Sequence, residues 1–200
     1  MGVDFIWLVC RVTADEHAAI APVYMAAPRA SPTATSEAAL ALWQRGGNVL
    51  TAAAHPYDVL EPFARAFHEP GRHGPINRLL TYESSPYQVG EPFVHYAWGP
   101  RYPPLAALAY AIGPERYRLL PEGWAFLLSP EELSAKGAAF VRALQFDGAE
   151  RERVIDRGEA WIRDYGAAEG FEETLDLLPE AVTKALAEGR GLVGGCFVVA

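Results

Sequence analysis

Lysine is nearly missing from this chain. Of its 17 basic residues only Lys136 and Lys184 are lysine, and 25 acids outnumber the bases to give a formal charge of −8. Neither half is basic, with 9 acids to 6 bases in the first hundred residues and 16 to 11 in the second. A protein that holds a phosphate backbone relies on clustered Lys and Arg, so nucleic acid is not an expected partner. An acidic surface instead favours solubility and suits a basic partner. The scarcity of Lys beside abundant Ala, Gly and Arg reads as coding bias in a GC-rich bacterial genome and carries no mechanism. Cysteine is also scarce. Cys10 and Cys196 lie in apolar runs and read as small buried hydrophobes, and nothing points to the oxidising compartment a disulfide would need. Long hydrophobic runs are lacking too. In MGVDFIWLVCRV no basic stretch precedes the apolar core, which Asp4 and Arg11 bound tightly. That is too short for a membrane span and wrong for a signal peptide, so the expectation is a cytoplasmic protein with no membrane contact.

The motifs of several chemistries are missing as well. Gly189-Arg190-Gly191 and Gly194-Gly195 lack the strand–turn–helix setting of a phosphate loop. His55, His68, His73 and His95, with Asp58, Glu61 and Glu69 nearby, are suitable metal ligands by type. No pair has the H-x-x-x-H or C-x-x-C spacing that puts two ligands on one face, so they read as scattered and no metal or cofactor is expected. Ser84, Ser85 and His95 with Glu83 or Glu91 supply the types for a Ser–His–acid arrangement, but no G-x-S-x-G elbow holds them. A turn at S-S-P accounts for the serines, and Cys10 belongs to a buried strand.

What the chain does contain is material for a core: half its residues are apolar and 12% are aromatic. Two hundred residues suit one domain, 1–200. The expected class is α+β, a mostly antiparallel sheet flanked by helices. Val3–Val12 is β-branched and aromatic and reads as a central strand buried on both faces. Thr13 and Glu16 form a capping box that opens a helix ending before Pro28, and Ser129, Pro130 and Glu132 write a second helix start. Pro28–Ser36 reads as a loop. A short helix around Leu40–Trp43 ends at Gly46-Gly47, and another spans Pro56 to about His68 with Pro62 as an objection. A strand near Phe93–Trp98 and a helix from Pro103 or Pro104 to Gly113 follow. Then come a strand pair at Tyr117–Leu120 and Trp124–Leu128. The last third is helical, with a break expected at Pro179. Leu192–Val199 closes the chain as a strand, in which Gly194-Gly195 suggests a bulge or a close backbone approach. The first and last strands are so uniformly apolar that they should be neighbours near the middle of the sheet.

The layout resembles the YfbM-like family of small bacterial proteins of unknown function. An MG start leads into the strand MGVDFIWLVCRV, a helix start TADEH follows, WAFLLSPEEL steps from strand to helix, and KALAEGRGLVGGCFVVA closes the chain. These cover about half of it, at the two ends, and 29–102 has no counterpart. The resemblance implies a single α+β domain and brings no catalytic residues. Some relatives belong with toxin–immunity loci, which implies a protein-binding role.

The segment 69–104 breaks the pattern, with Pro and Gly recurring every few residues among aromatics. Such a stretch is uncommon in a compact domain and is often functional. Tyr82, Tyr87, His95, Tyr96, Trp98 and Arg101 are the candidate binding residues. They could pin the loop to the core, form an aromatic patch for a protein, or line a concave small-ligand site in which His95 and Arg101 fix orientation. The functional expectation is therefore a protein-interaction module of the immunity or accessory kind, with a small enzyme or ligand-binding protein as the alternative. A cavity lined by His95 and Arg101 would favour the latter, and a flat exposed aromatic surface the former.

Overall fold

The computed structural model describes residues 4–27, 33–51, 57–68, 80, 86–99, 101–121, 125–164 and 170–199. A four-stranded antiparallel sheet runs through it in the order β2-β1-β4-β3, with β1 Asp4–Val12, β2 Val94–Gly99, β3 Ala125–Leu128 and β4 Gly191–Val199. The expected pairing of the two ends of the chain is its centre, since β1 and β4 pair without interruption from Asp4↔Val199 to Val12↔Gly191. Eight helices among the described residues surround the sheet. They are α1 Ala14–Ala26, α2 Ala34–Gln44, α3 Tyr57–His68, α4 Pro104–Ile112, α5 Pro114–Tyr117, α6 Pro130–Leu144, α7 Gly148–Asp164 and α8 Phe171–Glu188. The class is α+β. None of these helices is long and apolar enough to cross a membrane.

Because successive strand residues face opposite ways, β1 feeds two cores. Trp7 and Val9, with Phe126, Leu128, Leu192 and Cys196, meet α4, α6, α7 and α8 on one face. Ile6, Leu8, Cys10 and Val12, with Val193 and Phe197, meet Ile20 and Tyr24 of α1 on the other. This is why β1 reads as one apolar run. α4 goes further: all nine of its residues are buried, as expected of a helix that is apolar all round. Arg11 is the one charged residue buried within β1. Its guanidinium donates through its two terminal nitrogens to Glu188 at the end of α8 and to the Pro92 carbonyl before β2, which offsets part of the cost of burying the charge.

Both capping boxes form. Thr13 Oγ1 accepts from Glu16 N at 3.2 Å while Glu16 Oε2 accepts from Thr13 N at 2.7 Å, and Ser129 with Glu132 repeats the pair at 3.1 and 2.9 Å.

Four expectations need correction. The loop expected up to Ser36 ends sooner, because Thr33 caps α2 and Ser36 is already buried within it. No strand forms at Tyr117–Leu120. Gly113, at φ 77°, stops α4, and Pro114 at the next position starts α5. Pro179 does not break α8. It lacks one amide, but the helix on either side is held by Leu175, Leu178, Val182 and Ala185, all buried. Gly194-Gly195 forms no bulge, since pairing with β1 is continuous through both. The close approach is real, however. The Phe126 ring lies over Gly194 on one face and the Phe197 ring over Gly195 on the other, so the glycines are the hollows that two aromatic rings fill.

Candidate functional site

β2 carries three of the six candidate residues, His95, Tyr96 and Trp98, and its alternation divides them. Leu8↔Tyr96 and Ile6↔Trp98 pair on one face, and Val9↔His95 and Trp7↔Ala97 on the other. Tyr96 and Trp98 therefore project side by side, two residues apart, and remain 47% and 41% exposed. Ile6 and Leu8 beside them are buried. Among the described strands β2 is an outermost one, so this aromatic pair sits at an edge of the described sheet.

His95 points to the opposite face, toward α8. Its Nε2 is buried and has no hydrogen-bond partner among the described residues. Burial holds the imidazole below its usual range, and the positive charges of Lys184 and Arg11 add to this, against the weaker opposing pull of Glu180 and Glu188. Glu180, Lys184 and Glu188 are spaced by four, so they form a charged stripe on α8. A neutral, inward-facing imidazole suits packing under this stripe better than proton exchange with a substrate.

Tyr87 is a core residue. It is 3% exposed, packs edge-on against Phe93 at a ring separation of 6.1 Å, and belongs to the core on the Tyr96 side of the sheet. Burial raises its hydroxyl to about 12. Here the aromatic pins a loop to the core. Arg101 is the one residue other than glycine among those described with a positive φ, 67°. Its amide donates to Asp4 Oδ1 at 3.2 Å, and its side chain is exposed. A side chain at Gly99 would strike the Tyr102 carbonyl, so Gly99 and Tyr102 approach closely just before α4. Tyr102 is itself fully buried, its hydroxyl 3.4 Å from the Trp98 carbonyl. Tyr82, Ser84, Ser85 and Glu83 lie outside the described residues.

The structure thus brings Tyr96 and Trp98 together, and does not bring His95 and Arg101 into a shared hollow. No group of three or more His, Cys, Asp or Glu able to hold a metal ion stands among the described residues, and His55 and His73 lie outside them. A groove of about 540 Å³ does exist, but at the far edge of the sheet along β3, lined by Tyr24, Arg118, Leu119, Lys136 and Phe140 among others. Composition gave no sign of it, because its apolar residues recur at ordinary core spacing. The one available signal was Lys136, half of the chain's lysine. Comparison of the chain with family models, curated proteins and solved structures gave no match.

Proposed function

We propose that this chain is a soluble, cytoplasmic, non-enzymatic protein-interaction module of the accessory or immunity kind, which meets its partner through Tyr96 and Trp98. The observation that carries this reading is the exposure of two large aromatics, 47% and 41%, side by side on an edge strand. Tyr and Trp are the residues most enriched at binding hot spots, because each offers a large rigid surface and a polar handle. The ligand-binding alternative requires His95 and Arg101 to converge. One faces α8 on the inner side of β2 and the other lies on the exposed turn beyond it, so no observation favours it. Kinship with the YfbM-like proteins, and through them with immunity loci, belongs to this same proposal and rests on the two ends of the chain.

A photo-crosslinking residue placed at position 96 in the host bacterium should trap a partner, which mass spectrometry identifies. Calorimetry with that purified partner should then show binding weakened at least tenfold, about 1.4 kcal/mol, by Trp98→Thr or Tyr96→Thr. Equal affinity in both variants, with unchanged circular dichroism, would remove the aromatic pair from the interface.

A further inference from the structure

The second edge of the sheet is built differently. β3 pairs with β4 along one side over Ala125–Leu128, and its other side borders the groove of about 540 Å³. Phe126 and Leu127, which point to opposite faces of the sheet, both line it. The groove therefore runs along the edge of the strand and not over one face. Tyr24 of α1 walls one side, and Lys136 and Phe140 of α6 wall the other. The Tyr24 hydroxyl donates to the Ala125 carbonyl at 3.1 Å, so this backbone acceptor of β3 is already taken and an added strand would pair beyond it, toward Leu127 and Leu128.

The charge of the groove is opposite to that of the chain. Its lining includes Arg118 and Lys136 and no carboxylate, in a protein of formal charge −8. Lys136 is exposed and makes no ion pair among the described residues, and Arg118 pairs with Glu115 at the surface. Leu119 beside them is 46% exposed.

We infer that this groove docks an extended acidic segment of a partner protein, which adds to β3 as a further strand. Main-chain hydrogen bonds to an exposed edge supply affinity in such complexes, and alternate side chains supply selectivity. The four residues of β3 span about 13 Å at roughly 3.3 Å per residue. Side chains of the added strand would alternate between the Tyr24 wall and the Phe140 wall, and flanking carboxylates would reach Arg118 and Lys136. This surface lies at the opposite edge from Tyr96 and Trp98, so a chain with both edges filled would join two partners.

The probe is a synthetic peptide with a central Thr-Val-Thr-Val between runs of three aspartates, titrated into the full-length protein. Fluorescence anisotropy should show saturable binding that weakens with salt and falls about fivefold or more in Lys136→Glu, while Lys136→Arg retains it. Amide resonances of Ala125–Leu128 should shift, and a proline at the central Val should abolish binding by removing a backbone donor. Tyr96→Thr and Trp98→Thr should leave the affinity unchanged, which separates this site from the one above. The inference is overturned by absence of saturable binding, by equal affinity for a lysine-flanked peptide, by binding that survives the proline, or by shifts centred on β2. Self-association of the free protein through β3 would also overturn it, by making a second copy the occupant.

Discussion

The central strands β1 and β4 and the edge strands β2 and β3 belong to one sheet but use their residues differently. In the centre, packing uses nearly everything. Trp7, Leu8, Val9, Cys10, Leu192, Val193, Cys196 and Phe197 are all at most 3% exposed, and even the glycines serve as seats for rings. At the edges, residues are left over. β2 presents Tyr96 and Trp98 outward, and β3 opens on a basic groove. A strand flanked on both sides has its backbone groups paired and both its faces covered, whereas an edge strand keeps one backbone side and part of a face unmatched. Candidate function lies in this surplus.

The largest expected effect tests the centre. Gly194→Val would place a Cβ 2.5 Å from Phe126 Cζ and 3.1 Å from the Leu8 carbonyl. The ring must then leave its seat, at a cost of about 2–3 kcal/mol. For a chain of this size that lowers Tm by roughly 5–10 °C, measurable by circular dichroism. An unchanged Tm would mean that the centre has slack and that the comparison fails.

Alkaline pH offers a second test of the centre. Burial raises the Cys10 thiol from 9.0 to about 12 and raises Cys196 as well. A group whose folded pKa lies above its unfolded value contributes stability that is complete below pH 9.0 and lost as pH rises toward the folded value. Each such thiol therefore removes about 1.4 kcal/mol per pH unit across that window. Cys10→Ala should flatten the decline of unfolding free energy between pH 9 and 11, and equal slopes in the two proteins would contradict it. The edge carries the opposite dependence. His95 is held low by burial, so its contribution is present above the unfolded value and lost as pH falls through the folded one. His95→Leu should lessen the acid sensitivity seen below about pH 6.5.

Smaller effects belong to the walls of the sheet and then to its rim. Ser129→Ala removes the cap of α6 just after β3 and should cost about 1 kcal/mol, a fall in Tm of roughly 2–4 °C. No fall would mean that the amides find another acceptor. Tyr96→Thr, at a half-exposed position of an edge strand, should change stability by no more than about 0.5 kcal/mol while weakening partner binding. A loss comparable to that of Gly194→Val would show that Tyr96 is part of the core.

Where local chemistry decides, the structure was legible beforehand. The two capping boxes need only residues three apart, and both formed as written. The apolar character of β1 and β4 placed them at the centre, because only a strand covered on both faces can bury such a run. Gly113-Pro114 ended a helix where expected, yet Tyr117–Leu120 was misread, since a Gly–Pro junction that stops one helix also starts another. Pro179 was misread for a different reason: a local helix breaker was outweighed by distant packing partners that no window of sequence contains. At the candidate site, Tyr87 and Tyr96 look alike as members of a proline-rich stretch, but one is 3% and the other 47% exposed. The sequence put Tyr96 on a strand and Tyr87 in the stretch before it, but carried no information about which would face the core.

By itself, the sequence determined the class, the capped helix starts, the central strand pair and the acidic balance, because propensity, periodicity and charge are local or additive quantities. Only the tertiary structure decided which face of β2 turns toward α8, that Gly194 of β4 receives the Phe126 ring, and that Tyr24, Arg118 and Lys136 meet at the β3 edge. Each of these depends on strand order and on contacts between residues tens to more than a hundred positions apart, and such contacts exist only once the chain has closed β4 against β1.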